Sequence, residues 1–244
     1  MSDSKVGFVP GLILFDIDGT LLKTGDTAHQ QALLDAIEQV HRIRASLDGV
    51  PLGGMLDSQI VRLALEKQGV VGPQVRESLP ELMDAMGRRY RELLDGEDRH
   101  DWLLPGVEML VDRLQADHAL GVLTGNASGI ARAKLEAAGI EGYFSFGAFG
   151  NSAEHRYQLV SVAIQQAESV SGHRLQPGDA LIVGDTPKDI EAARDSGARV
   201  LAVATGRYSV TDLEGHKPDA LLPDLGDVDH AIQMLERLLP NESW

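Results

Sequence analysis

The chain has 244 residues, with 22 Lys and Arg against 37 Asp and Glu for a net charge of −15, and no cysteine. The acidity disfavours nucleic acid and anionic membrane surfaces as partners. The missing cysteine excludes disulfides and thiol chemistry and fits a cytoplasmic protein. Hydrophobic residues at 43% and charged residues at 24% describe a globular chain able to bury a sizeable core, and no apolar run is long enough to span a bilayer. Any anionic small ligand would have to be drawn in by local charge, of which a bound divalent cation is the simplest source.

Leu12 to Phe15 read as a buried parallel strand; the run ahead of it, broken by Pro10, does not have the pattern of a signal peptide. From Leu21 to about Trp102 the pattern is helical. Residues 27–44 form one amphipathic helix with Leu33, Leu34, Ile37 and Val40 on a face, a second runs from Asp57 to Gly69, and a third from about Glu81 to Leu94. Pro105-Gly106 marks the return to alternation: helix 107–116, strand 119–123, helix 128–138, strand 144–149, helix 155–169, strand 180–184, helix 188–195, strand 199–204, strand 220–222 and helix 227–238. Such alternation predicts an α/β fold, a Rossmann-like parallel sheet with helices on both faces. The expected organisation is a core of residues 1–21 and 103–244 with an inserted all-helical cap of residues 22–102.

The carboxyl ends of parallel strands open into the crevice where ligands bind, so Asp16 and Asp18, which follow the first strand, sit at a mouth. With Ile17 facing away and the chain turning at Gly19, both acids can address one ligand, one as nucleophile and the other as proton donor and acceptor. A plain Asx-turn is the alternative for this pair. Further along, Thr124-Gly125-Asn126 follows an apolar run and offers a hydroxyl and backbone N–H groups to phosphate oxygens; Asn126 could instead cap the next helix. Gly184-Asp185-Thr186-Pro187-Lys188-Asp189 ends another buried strand. Asp185 suits a magnesium ligand, while Asp189 reads as a metal-site residue and as the acid of a capping box with Thr186, two compatible roles.

Taken together, the Asp-x-Asp-Gly-Thr segment, the Thr-Gly-Asn segment and the later Gly-Asp-x-x-x-Asp resemble the haloacid dehalogenase superfamily, in chain order and over essentially the whole chain. The resemblance implies a Mg2+-dependent phosphatase of phosphoglycolate-phosphatase type acting on a small phosphorylated metabolite. Asp16 would attack phosphorus to give an aspartyl phosphate; Asp18 would protonate the leaving alkoxide, then deprotonate water, its backbone carbonyl joining Asp16, Asp185 and Asp189 around the metal. Thr124 and the N–H groups of Gly125 and Asn126 would hold the phosphoryl oxygens. The family's lysine near the start of the helix after the third strand is absent here. Arg156 is the cation placed to replace it, although arginine differs from lysine in reach and geometry, and His155 reads as a surface residue. Gly54, Met55 and Asp57, ahead of a cap helix, resemble the segment that sets leaving-group selectivity, with Asp57 equally readable as an N-cap and Met55 as packing. A 2-haloacid dehalogenase, which would keep working in EDTA, a phosphomutase, and a non-catalytic binding protein are the alternatives.

Overall fold

The computed structural model describes residues 11–240. The expectation about a signal peptide falls on residues 1–10, which lie outside the described residues. Six strands, β1 (Leu12–Phe15), β2 (Ala119–Leu123), β3 (Phe146–Ala148), β4 (Ala180–Gly184), β5 (Arg199–Val203) and β6 (Ala220–Leu222), form one sheet in the order β3-β2-β1-β4-β5-β6. Every pairing is parallel. The chain winds outward from β1 to one edge, returns, and winds from β4 to the other. The crevice of this arrangement therefore opens at the carboxyl ends of the adjacent β1 and β4.

Alternate residues of β1 serve opposite faces, as the period of a strand requires. Ile13 and Phe15 join a core with α4 (Val107–Leu114), α5 (Ser128–Ala137) and α9 (Val228–Leu238). Leu12 and Leu14 join another with α6 (Arg156–Ser171), α7 (Pro187–Ser196) and α8 (Val210–Glu214). A sheet covered on both sides explains why its strands are continuous apolar runs.

The insertion after β1 holds α1 (Thr27–His41), α2 (Asp57–Glu66) and α3 (Pro73–Leu94). Their apolar stripes share a third cluster in which Ala32, Leu33, Ile37, Val61, Leu65 and Met86 are buried. Ala127, Ile130 and Ala133 of the α5 region belong to the same cluster, so the insertion packs on α5. Closest approach falls at paired glycines: a Cβ on Gly87 of α3 would lie 2.9 Å from the Gly129 Cα. α5 is thereby covered on two sides, by the sheet at Ala131 and Leu135 and by the insertion at Ile130 and Ala133. No described helix is long and apolar enough to cross a membrane.

Three differences from the sequence reading have local causes. α3 begins at Pro73, eight residues ahead of Glu81, with Pro80 inside it. Pro80 is exposed, so the carbonyl it leaves unbonded faces solvent, while the buried stripe from Val75 to Leu94 holds the helix together. α1 stops at His41 because Arg42 takes a left-handed conformation at φ 59° and closes it. α8 is a five-residue helix capped by Ser209, whose hydroxyl accepts from the Asp212 N–H, too short to show a period.

Candidate active site

Asp16 is the first residue beyond β1, where its N–H still donates to the Val183 carbonyl of β4 at 2.9 Å. Asp185 is the first residue beyond β4. Adjacent parallel strands in register thus deliver both acids to one point, and the carboxylates of Asp16, Asp185 and Asp189 can place oxygens within 4.8 Å of one another, all buried. Asp185 sits in a cradle of backbone: a Cβ on Gly19, whose φ is +89°, or on Gly206 would collide with its carboxylate. Its Oδ1 is buried without a hydrogen-bond partner among the described residues.

Asp189 is the capping acid of α7, and its second oxygen has another partner. One oxygen accepts from the Thr186 N–H at 3.0 Å and the Thr186 hydroxyl at 2.6 Å, capping α7. The other accepts from Arg156 Nη2 at 2.6 Å. Arg156, at the start of α6, is buried; its Nη2 also lies 3.2 Å from Asp16 and its Nη1 donates to the Gly54 carbonyl at 3.3 Å. One guanidinium therefore faces the cluster's acids, and His155 beside it is exposed.

Burial pushes the Asp185 carboxyl up to about 9, reinforced by the charges of Asp16 and Asp189. Burial likewise lifts Asp16 to about 6, with Asp189 and Asp18 adding to it and Arg156 opposing. The cluster holds more negative charge than one arginine offsets. An orphaned buried carboxylate oxygen, a glycine-walled cradle and oxygen-only donors fit a hard divalent cation such as Mg2+.

Asp18 points elsewhere. Both its oxygens accept from Lys134 Nζ at 2.7 Å, and Oδ2 also accepts from Asn126 Nδ2 at 2.8 Å. Burial alone would raise the Asp18 carboxyl, but Lys134, His29 and these hydrogen bonds outweigh it and hold the group below the usual carboxylate range. Lys134 is a residue the sequence reading missed. Its ammonium further donates to Asn126 Oδ1 at 2.9 Å and lies 3.2 Å from His29 Nδ1. A faint signal was present: Ile130-Ala131-Arg132-Ala133-Lys134-Leu135 has little polar face, unlike a helix with one side in water.

Thr124 is fully buried at the end of β2, its hydroxyl accepting from Asn126 Nδ2 at 2.8 Å. The Asn126 N–H also reaches that hydroxyl, at 3.3 Å, and the Asn126 side chain holds Asp18. Gly125 lies under the insertion: its carbonyl accepts from the Asp57 N–H at 2.8 Å, and a Cβ there would strike the Met55 carbonyl. The Asp57 carboxylate is tied to the Ala127 N–H at 2.7 Å and to His29 Nε2 at 3.0 Å. It joins insertion to core. Gly54, Met55, Asp57, Thr124, Gly125, Asn126 and Arg156 all line one cavity of about 140 Å³ with Asp16, Asp18 and Asp185.

The chain matches the haloacid dehalogenase-like hydrolase family model over residues 13–203, and it belongs to that family. Among curated relatives, a phosphoglycolate phosphatase of Nitrosospira multiformis is 27% identical over 226 residues, 91% of this chain and 95% of that protein. A pyrophosphatase PpaX of Bacillus pumilus is 24% identical over 228 residues, 88% of this chain and 93% of that one. The crystal structure of a predicted phosphoglycolate phosphatase from Haemophilus somnus superposes with a TM-score of 0.60 at 25% identity, covering 92% of this chain and 98% of that chain.

Proposed function

We propose that the chain is a Mg2+-dependent phosphomonoester hydrolase acting on a small phosphorylated metabolite through an aspartyl-phosphate intermediate. The phosphatase class follows from the family and its named relatives. The observation that carries the finer reading is Asp16 beside the unpartnered Asp185 oxygen at the junction of β1 and β4. In this reading residues 22–102 act as the cap and the remainder as the core, and the cysteine-free composition supports a cytoplasmic setting.

Asp16, Asp185, Asp189 and the Asp18 backbone carbonyl would hold the ion. Once bound, it supplies positive charge to the carboxylates and to the phosphoryl oxygens. An Asp16 oxygen attacks phosphorus as the bond to the ester oxygen breaks, and the departing alkoxide takes a proton delivered from Asp18. Water then attacks the same phosphorus, gives a proton to Asp18 and breaks the bond to Asp16, restoring both acids. Arg156 neutralises charge on the Asp16 side, and Thr124 with the adjoining N–H groups faces the equatorial oxygens. Lys134 keeps Asp18 ionised in the state described here, so the proton it delivers to the alkoxide is one taken up from the substrate monoanion or solvent as substrate binds; ionised again after that transfer, Asp18 accepts the proton of water.

Phosphate release from a panel of phosphomonoesters, with and without EDTA, tests the reading: activity is expected to vanish on chelation and return with Mg2+. A chelator-resistant reaction would point to dehalogenation. Replacing Lys134 has a separate signature. Lys134→Met leaves Asp18 and Asp26 without the ammonium between them and is expected to cost about 3 kcal/mol of stability in urea unfolding. It should also lower kcat by about 100-fold, with Lys134→Arg recovering part of both.

A further inference from the structure

Resting on the phosphomonoesterase reading, we infer that the substrate is the ester of a small, uncharged alcohol whose hydrocarbon face meets the cap, and that leaving groups carrying a carboxylate or a second phosphate are rejected. The cavity beside Asp16 and Asp18 is walled on the insertion side by Leu33, Leu47, Leu52, Met55 and Ile60. A charged leaving group pressed against that wall would lose its water and gain no buried partner.

The charged groups around the cavity point the same way. On the insertion side they are Asp26 and Asp57, both buried. Asp26 is engaged by Tyr90 Oη at 2.5 Å and Arg99 Nη1 at 3.0 Å. Asp57 is engaged by His29 and the Ala127 N–H. The two buried cations are already engaged. Lys134 is surrounded by Asp18, Asn126 and His29, with Asp26 at 4.0 Å, and the Arg156 Nη atoms face Asp16, Asp189 and the Gly54 carbonyl. Among the described residues lining the cavity, the remaining cation is Arg207, which is exposed. Its exposure to water weakens any ion pair Arg207 forms, and a second anion would otherwise sit beside two buried carboxylates and an apolar wall. The neutral polar groups Thr24, Gln30 and Tyr208, which also line the cavity, suit a hydroxyl or amide substituent instead.

The full chain with Mg2+ is to be assayed on propyl phosphate, 2-hydroxyethyl phosphate, phosphoglycolate and 1,3-propanediol bisphosphate, with p-nitrophenyl phosphate as a reference for the chemistry. The expected result is a kcat/KM for the two neutral alkyl esters at least about tenfold above that for phosphoglycolate and for the bisphosphate, a ratio that persists in Arg207→Gln. Equal or preferred turnover of phosphoglycolate or the bisphosphate overturns the inference while leaving the phosphatase reading standing, and loss of that preference in Arg207→Gln would name the group that reads the anion. Absence of phosphate release from every ester, the aryl reference included, brings down the phosphatase reading and this inference with it.

Discussion

Asp16→Asn is expected to lower turnover by about 10^4-fold or more, the scale seen when a covalent nucleophile is removed, while the protein stays folded. The amide keeps the size of the carboxylate and its place beyond β1, so no packing is lost. It gives up the Arg156 contact at 3.2 Å, but Arg156 retains Asp189 at 2.6 Å. It also removes a charge that burial and neighbouring acids disfavour, since the Asp16 carboxyl is raised to about 6. In the absence of metal at neutral pH, the variant's melting temperature should equal or exceed that of the parent. Acid-quenched parent protein, mixed with substrate, should carry one phosphoryl group on the peptide containing Asp16, and the variant none. No neighbouring acid among the described residues is placed to substitute. Asp189 is bonded through both oxygens, Asp18 is held by Lys134, and Asp185 is recessed between Gly19 and Gly206. Turnover surviving in the variant would remove Asp16 from the reaction.

The strands and the acids that follow them were legible for one reason. A strand buried on both faces is an apolar run, and its abrupt end in Asp16, Asp185 or Thr124 marks the crevice without any knowledge of tertiary contacts. Asp189 could be read locally as well, because a capping box is a spacing of three residues. Lys134 could not. Its role depends on α1 and α3 of the insertion lying over α5, which buries the face that carries it. The same packing ties Asp57 to Ala127 and His29 to Lys134, contacts 70 and 105 residues apart in the chain. Local pattern also failed at Pro80, where burial of the α3 stripe outweighs a helix-breaking residue.

Magnesium is expected to raise the melting temperature, and by more as pH rises, through Asp185. Its carboxyl is moved from 3.8 up to about 9 by burial, Asp16 and Asp189. A carboxyl whose pKa is higher folded than unfolded binds more protons in the folded state between those two values. Stability of the metal-free protein therefore falls as pH climbs through that window. Divalent ions require the same oxygens without protons, so the stabilisation they confer grows in the same direction. At a hundredfold excess over Kd the gain is about 2.7 kcal/mol, or roughly 5–10 °C for a chain of this size. Asp185→Asn cannot ionise at this position. Its metal-free melting temperature should decline less with pH than the parent's, its magnesium-induced rise should disappear, and turnover should fall by more than about 100-fold at a magnesium concentration that saturates the parent. Differential scanning fluorimetry from pH 5 to pH 9, with EDTA or Mg2+, reads both effects. An undiminished magnesium shift in the variant would place the ion away from the junction of β1 and β4.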